Sequence, residues 1–282
     1  MNEAFTGLPP ALRMHSIGNF IRRHGMTSRP RILLLLERNT PACQIAAATD
    51  TGRRRQSNQD RYLINEILGL VVLADGMGGH NSGELAAQLA TERVAASITQ
   101  NVTGSATAPF DQLREALLEA NASILSRAAE EDNKGMGTTA IAALIRDNKL
   151  TAGHVGDSRL YCFRAGELEQ LTRDHSMLQD LIDKGFYTER DSRSTGIGHI
   201  VTRSLGTQAT VEIDCVECSL QEGDVLLFCS DGLSDLVDDW LITDTLNECC
   251  GDLSLTCKKL ITHANRNGGS DNITVILARY GS

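Results

Sequence analysis

Proline is scarce in this sequence, and its distribution divides the chain. Only five of the 282 residues are proline, and four of them lie within the first 42 residues. Residues 1–42 also show little periodicity in their apolar residues. This segment is therefore predicted to be an N-terminal arm outside the main domain, either disordered or partly helical around residues 10–24. Residues 43–282 are predicted to form the folded domain.

Long apolar runs are also missing. The longest one near the start, ILLLL at residues 32–36, is far shorter than the ~20 residues of a membrane-spanning helix. It is also too short for the apolar core of a signal peptide, and charged residues flank it. The sequence therefore predicts no membrane span and a cytoplasmic protein.

Cysteine patterns typical of metal or redox sites are nearly absent, although the chain has eight cysteines. The one CxxC, from Cys215 to Cys218, has neither a second CxxC nor a pair of His residues nearby. It lies in VEIDCVECSL, which alternates as a strand does, so a strand is favoured over a metal site. The cysteines are interpreted as buried thiols of an intracellular protein.

An excess of basic charge is missing as well. The formal net charge is −9, which argues against a nucleic-acid-binding protein with a broad basic face. The length, with 41% hydrophobic residues, suits one large domain or two small ones with a sizeable core.

The periodic segments after residue 42 favour an α+β fold. Apolar residues at helical spacing predict helices after Ser82, at about residues 113–128, after Ser176, from about Asp239 and at residues 256–266. Strands arrive in runs typical of antiparallel sheets, and residues 186–199 look like a mobile loop. The predicted strands are QIAAATD, a hairpin in RYLINEILGLVVLAD, TTAIAALI, KLTAGHV, SRLYCFR, ELEQLT, VLLFCS and ITVILARY.

Acidic residues recur at the ends of these strands, beside glycine. Packed sheets would gather them in one place, where carboxylates without cations repel one another. Oxygen ligands without His or Cys suit Mg²⁺ or Mn²⁺. Asp75 is therefore predicted to end its strand as a metal ligand, and the following glycines to leave the backbone open to metal and substrate. The acids are Asp60, Asp75, Asp157, Asp231 and Asp271.

A pair of such ions is a recurrent device for phosphate chemistry, because it activates water and holds phosphate oxygens for in-line attack. An arginine aimed at the phosphate would complete the site. RRRQSNQD supplies Arg53, Arg54 and Arg55 just before Asp60. From the residues alone, all three remain candidates.

The order of the motifs resembles one known family. RQSNQD, LADGMGG, GTTA, GHVGDSRLY, LTRDHS, TRSLG, CSDGLSD and SDNITV follow one another as in the metal-dependent Ser/Thr protein phosphatases of the 2C type, bacterial branch. The resemblance covers about residues 44–280. It implies a four-layer α-β-β-α sandwich, two antiparallel sheets flanked by helices, so that residues 43–282 would be the catalytic domain.

The resemblance also implies roles for single residues. Asp75 matches the carboxylate that bridges two metals, and Gly76 the residue whose carbonyl is a ligand. Asp60, Asp231 and Asp271 match the other ligand positions, and Asp157 matches a ligand of a third, weaker ion. Arg55 matches the phosphate-binding arginine, and residues 175–203 match a variable flap.

The implied function is hydrolysis of phosphoserine and phosphothreonine esters in proteins by a metal-bridging hydroxide, with Mn²⁺ or Mg²⁺ as cofactor. The expected partners are phosphorylated proteins, including a Ser/Thr kinase, and the enzyme is expected to be a monomer. The alternatives are a catalytically weak phosphoprotein-binding regulator of the same fold and another metallohydrolase, such as a nuclease.

The chain departs from some relatives at two positions. Gln59 replaces a Glu, which would weaken any water-mediated metal contact there. Met77 replaces a His interpreted as the general acid, and His80, His175 or metal-bound water are the candidates to donate the proton instead, although a structural or merely exposed role is favoured for either histidine.

Overall fold

The computed structural model describes residues 43–79, 82–101, 107–188, 200–249 and 251–281. The predicted arm, residues 1–42, lies outside these residues, as does the predicted mobile loop from residue 189 onward. His80 also lies outside them.

Two antiparallel sheets form the centre of the fold. The first sheet has five strands, in the spatial order β1 (Cys43–Asp50), β11 (Ile273–Tyr280), β10 (Val225–Cys229), β7 (Arg159–Arg164) and β8 (Glu167–Gln170). The second sheet follows the order β2 (Asp60–Asn65), β3 (Leu70–Met77), β5 (Ala140–Arg146), β6 (Lys149–Val155) and β9 (Asp214–Ser219). A short strand, β4 (Gly137–Thr138), pairs with Gly76 and Met77. The prediction that Asp75 ends its strand is therefore wrong, because this pairing extends β3 beyond Asp75.

Helices cover the outer face of each sheet. The second sheet packs against α1 (Ser82–Asn101) and α2 (Pro109–Ala128). The first sheet packs against α5 (Asp239–Glu248) and α6 (Leu253–Arg266), while α3 (Met177–Asp183) and α4 (Asp231–Ser234) are short. The predicted four-layer α-β-β-α sandwich is thereby confirmed. None of the helices in the described residues is long and apolar enough to cross a membrane.

The continuous apolar runs of the sequence are explained by strands that are buried on both faces. In β3, Val71 and Leu73 join the core between the sheets. Leu70 and Val72 point the other way and are fully buried as well. In β10, Phe228 faces the other sheet and Leu227 faces the helices.

The segment TTAIAALI was predicted as one strand but is divided at Thr139. The Thr139 N–H donates to the Asp75 carbonyl at 2.9 Å, and Thr139 Oγ1 accepts from the Asp75 N–H at 3.0 Å. Because Thr139 bonds Asp75 in this way, the ladder is interrupted between β4 and β5. The CxxC segment lies in the edge strand β9, so its interpretation as a strand is confirmed.

Candidate active site

A cleft of about 700 Å³ opens at one end of the sandwich, where strands of both sheets end. Its lining includes five sequence-predicted residues, each from a different segment of the chain. These are Arg55, Asp75, Asp157, Asp231 and Asp271, and Gly76 lines the cleft beside them.

The second sheet supplies two acids through a single strand pairing. Asp60 and Asp75 are opposite each other in the antiparallel ladder of β2 and β3. Directly opposed residues of such a ladder have Cβ atoms about 4.5–5.5 Å apart. The hairpin that the sequence predicted is thus the feature that brings these two carboxylates together.

The first sheet supplies two more. Asp231 begins α4 directly after β10, and Asp271 stands two residues before β11. Since β10 and β11 are antiparallel neighbours, the end of one strand adjoins the start of the other. The pairing therefore places the two acids at the same end of the sheet.

The fifth acid lies in the turn that connects the two sheets. Asp157 follows β6 of the second sheet and precedes β7 of the first. It is buried, with 6% of its surface exposed. Four of the five predicted acids line this cleft, and the buried Asp60 lies next to them, opposite Asp75 in the ladder.

Gathering these acids changes their protonation. Burial raises the pKa of Asp60 to about 6, against hydrogen bonds from Thr274 and Ser230 that lower it. Burial, and then the negative charges of Asp174 and Asp235, raise the pKa of Asp157 to about 7.

Asp75 and Asp231 show the same effect. Removal from bulk water raises the pKa of both carboxyl groups well above the usual range, and the neighbouring acids raise it further. The site therefore holds more negative charge than its own residues can neutralise, which is the condition that a divalent cation relieves.

The donor atoms fit such a cation. Among the described residues, neither Asp60 Oδ1 nor Asp231 Oδ1 has a hydrogen-bond partner, although both are buried. An orphaned carboxylate oxygen is costly in the interior, and a metal ion would satisfy it. In the described part of the chain, no group of three His, Cys, Asp or Glu side chains is arranged to hold a metal ion by itself. Water and carbonyl oxygens would complete the ligand set, as Mg²⁺ prefers.

Two hydroxyl residues that sequence reasoning missed orient Asp60. Ser230 Oγ and Thr274 Oγ1 both donate to Asp60 Oδ2, at 2.8 and 2.6 Å. They fix one oxygen of the carboxylate and leave Oδ1 for a ligand. Ser230, within CSDG, and Thr274, within SDNIT, gave no local signal of this role, because Asp60 is 170 and 214 residues away in the sequence.

Asn272 is a second residue that the sequence did not reveal. Its Oδ1 accepts from the Gln59 N–H at 2.7 Å, and its Nδ2 donates to the carbonyls of Thr51 and Ser57. All polar atoms of the amide are thereby used to attach the loop that carries Arg55 to the start of β11.

Gly76 is required by packing. A Cβ atom there would lie 2.0 Å from the Gly83 carbonyl oxygen and 2.8 Å from that of Gln59. The bare backbone after Asp75 thus allows α1 to approach β3, in addition to leaving Gly76 at the cleft. Gly79, by contrast, would have open space around a side chain.

Among the three candidate arginines, Arg55 lines the cleft. Its Nη2 donates to Asp271 Oδ2 at 2.7 Å, and about half of its side chain is exposed. Arg53 and Arg54 are exposed and belong to the preceding turn. The structure thus separates three residues that local sequence could not.

Gln59 and Met77, the two departures from relatives, both line the cleft. His175 does not: it is buried, Nδ1 accepts from the Gly156 N–H at 3.0 Å, and Nε2 lies 3.1 Å from Asp214 Oδ2. Burial also lowers its pKa. The hypothesis that His175 is the general acid is therefore wrong, because both ring nitrogens have partners away from the cleft.

Asp235 is a cleft residue that the sequence analysis passed over. It belongs to CSDGLSD, one helical turn after Asp231, and its charge acts on both Asp157 and Asp231. The spacing of four residues within a helix was the signal that could have found it.

Comparison with known proteins agrees with this geometry. The sequence profile described as Protein phosphatase 2C matches residues 49–257. The serine/threonine phosphatase stp of Listeria welshimeri is 37% identical over 235 residues, which cover 81% of this chain and 92% of that protein.

Solved structures give the same answer. The crystal structure of the Mycobacterium tuberculosis serine/threonine phosphatase PstP superposes with a TM-score of 0.77 at 35% identity, covering 85% of this chain and 99% of that one. A structure of the PstP catalytic domain in complex with two manganese ions superposes with a TM-score of 0.76 at 34% identity. It covers 85% of this chain and 99% of its own. The resemblance inferred from the sequence is confirmed, and the chain belongs to the protein phosphatase 2C family, the metal-dependent serine/threonine phosphatases.

Proposed function

We propose that this chain hydrolyses phosphoserine and phosphothreonine esters of proteins in the cleft described above, and that its own acids hold the ions. Asp60, Asp75, Asp231 and Asp271, with the Gly76 carbonyl, would bind two Mn²⁺ or Mg²⁺ ions. Asp157, beside Asp231 and Asp235, would contribute to a third and weaker site. The observation that carries this proposal is the convergence of carboxylates with raised pKa values and orphaned oxygens on one cleft.

When bound, two such ions lower the pKa of a water molecule and hold phosphate oxygens in place. The chain's own residues do the positioning. Thr139 bonds both the N–H and the carbonyl of Asp75, so the backbone from which that carboxylate projects is held in place. Rigid ligands of this kind need no reorganisation during the reaction.

Arg55 is proposed to bind the phosphate group of the substrate. Its guanidinium lies at the cleft, its partner Asp271 is at the rim, and the side chain is half exposed and able to turn. A guanidinium matches two phosphate oxygens at once. Met77 has no proton to donate to the leaving group, and none of the described cleft residues is a His.

The test is phosphate release from a phosphothreonine peptide, measured with Mn²⁺, with Mg²⁺ and with excess EDTA. We expect turnover with either ion and none with the chelator. A duplex DNA substrate, which should remain uncut, separates this function from that of a nuclease. Full activity in excess EDTA would contradict the assignment of the carboxylates to metal.

Three further points are proposals that rest on the family resemblance and on the composition. The substrates would include a Ser/Thr kinase, the enzyme would act as a monomer, and it would work in the cytoplasm. Dephosphorylation of an autophosphorylated kinase and the mass of the protein in solution test the first two. Cell fractionation tests the third.

A further inference from the structure

The turn that carries Asp157 is closely packed against Thr139, the residue that bonds the backbone of Asp75. Gly156 has a φ of +111°, and a Cβ atom there would lie 2.5 Å from the Cβ of Thr139. Ser158 Oγ lies 2.8 Å from Thr139 Oγ1, the same oxygen that accepts from the Asp75 N–H. The position of Asp157 relative to Asp75 therefore depends on how this turn is held.

His175, which does not line the cleft, holds the turn. Its backbone N–H donates to the Gly156 carbonyl at 2.8 Å, and the Gly156 N–H donates to its Nδ1 at 3.0 Å. These two hydrogen bonds close a ring between one residue of the turn and one residue of the following segment. The side chain is 6% exposed, so the bonds are shielded from water.

A charged pair sets the tautomer of this imidazole. Since Nδ1 accepts a hydrogen bond, the proton of the neutral ring is on Nε2, 3.1 Å from Asp214 Oδ2. The Arg203 Nη1 lies 3.1 Å from His175 Nε2 as well, but it donates to Asp214 Oδ1 at 2.5 Å, which holds that carboxylate in place. A carboxylate that accepts from one nitrogen and thereby fixes the role of the other is a common device for orienting imidazoles.

The surroundings keep the ring neutral. Burial lowers the pKa of His175, and the positive charge of Arg203 lowers it further, while Asp214 and Asp174 oppose the shift. His154 packs beside it with ring centroids 4.8 Å apart, and burial lowers its pKa to about 3. A neutral ring is what the contact with Gly156 needs, because a protonated Nδ1 would face another donor.

We propose that His175, oriented by Asp214 and Arg203, is a positioning residue that holds the Gly156–Asp157 turn so that the Asp157 carboxylate faces Asp231 and Asp235. It acts through the backbone of Gly156 and does not touch the reacting atoms. The inference rests on the proposed role of Asp157 as a ligand of the weaker third ion. It identifies the motif LTRDHS, which the sequence analysis could place only by its order, as the support of that ligand.

Two substitutions separate the two contacts of the ring. In His175→Asn, the amide oxygen lies as many bonds from Cα as Nδ1 does and can still accept from the Gly156 N–H. In His175→Gln, the amide nitrogen replaces Nε2 and the acceptor for Gly156 is lost. Both variants remove the ring, so a purely structural role predicts equal effects.

Binding of Mn²⁺ is the first readout, measured from the free-ion signal in electron paramagnetic resonance. We expect His175→Gln to weaken the last ion bound by about tenfold, as loss of a ligand's support typically does. His175→Asn should stay close to wild type. In the metal-free protein, the amide hydrogen of Gly156 should exchange faster in the Gln variant than in the Asn variant, because only the Asn variant keeps an acceptor for it.

Turnover of a phosphothreonine peptide at fixed Mn²⁺ is the second readout, taken with Asp157→Ala and with the double variant. If His175 acts through Asp157, the double variant will be no slower than Asp157→Ala alone. If Asp157→Ala is impaired while both His175 variants bind and turn over like wild type, the inference fails and the proposed site stands. If Asp157→Ala itself binds and turns over like wild type, the third-ion site fails, and the inference with it.

A second pair of variants serves if His175→Gln does not fold, which thermal unfolding will show. Asp214 and Glu212 both contact Arg203, but Asp214 alone of the two contacts His175. Asp214→Ala should weaken the last Mn²⁺ bound, whereas Glu212→Ala should not. Equal binding by these two variants would overturn the role of Asp214, and equal losses in His175→Asn and His175→Gln would overturn that of His175.

Discussion

The floor and the rim of the cleft use the same residue types in opposite ways. The floor consists of the buried acids Asp60, Asp75, Asp157 and Asp231, whose pKa values are raised. Asp60 is 2% exposed and forms no ion pair with a Lys or Arg among the described residues. At the rim, Asp271 forms an ion pair with Arg55, and the two side chains are 29% and 51% exposed. Surface ion pairs are worth little to stability, whereas unpaired buried charges are costly. The floor therefore needs an ion from outside, while the rim can open to receive a substrate.

The largest effect should come from the floor. Asp75→Asn keeps the shape of the side chain and removes its charge, and we expect turnover to fall by at least ~1000-fold, because metal ions contribute several kcal/mol to such transition states. The metal-free protein should melt at the same or a higher temperature, since one repelling charge is gone. Asp244→Asn, on an exposed position of α5, is the matched control. Activity near wild type in Asp75→Asn would show that the floor is not the metal site.

The rim should give the next effect. Arg55→Ala should lower kcat/KM for a phosphothreonine peptide by roughly tenfold or more, because hydrogen bonds to charged groups are worth about 1.5–3 kcal/mol. Arg53→Ala and Arg54→Ala, in the same turn but not at the cleft, should change it little. Equal losses in all three variants would indicate a general effect of basic charge instead of a phosphate contact.

The hydrogen bond that orients Asp60 can be removed without replacing a proposed metal ligand. Thr274→Val keeps the side-chain shape but removes one of the two donors to Asp60, and we expect Mn²⁺ affinity to fall by about tenfold. Thr274→Ser should restore the affinity. Thr49→Val removes a hydroxyl that contacts Thr274 and is the control. A full effect in Thr49→Val would assign the loss to packing.

The floor also predicts how stability depends on pH. Carboxyl groups with raised pKa values bind protons in the folded state that the unfolded state has released, so they stabilise the metal-free fold at low pH. This contribution is lost as pH rises through the folded pKa of about 6 for Asp60 and about 7 for Asp157, and the raised pKa values of Asp75 and Asp231 act in the same direction. Neutral buried His154 and His175 act in the opposite direction, with an effect complete above pH ~6.5.

Between pH ~6.5, where the effect of the histidines is complete, and the folded pKa of about 7 for Asp157, the acids therefore dominate. The metal-free protein should melt at a lower temperature as pH rises, and saturating Mn²⁺ should remove the decline. Each kcal/mol corresponds to about 2–4 °C for a domain of this size. Calorimetry in EDTA and in Mn²⁺ measures both curves. Parallel curves would mean that the ion does not neutralise these acids.

The smallest effect is expected from removal of the predicted N-terminal arm. The arm, residues 1–42, carries none of the motifs of the site, and we predict that a chain starting at Ala42 hydrolyses a small phosphate ester at the full rate. Its melting temperature should match that of the whole chain. A slower but folded truncated protein would place part of the arm in the catalytic unit.

The amino-acid sequence by itself determined much of this protein. The apolar runs predicted the hairpin of Asp60 and Asp75, the acids beside glycine predicted a metal site, and the order of the motifs identified the family. These signals are local, because a strand, a turn and an acid at its end lie within about ten residues of one another.

The tertiary structure decided what depends on distant partners. Thr139 interrupts a strand because its side chain accepts from the Asp75 N–H. Ser230 and Thr274 orient Asp60, which is far away in the chain. Arg55 differs from Arg53 and Arg54 because it alone of the three lines the cleft. The sequence offered His175 as a candidate proton donor, yet its ring contacts Gly156 and Asp214. Hydrogen bonds of this kind join residues by proximity in space, and a periodic pattern along the chain carries no record of them.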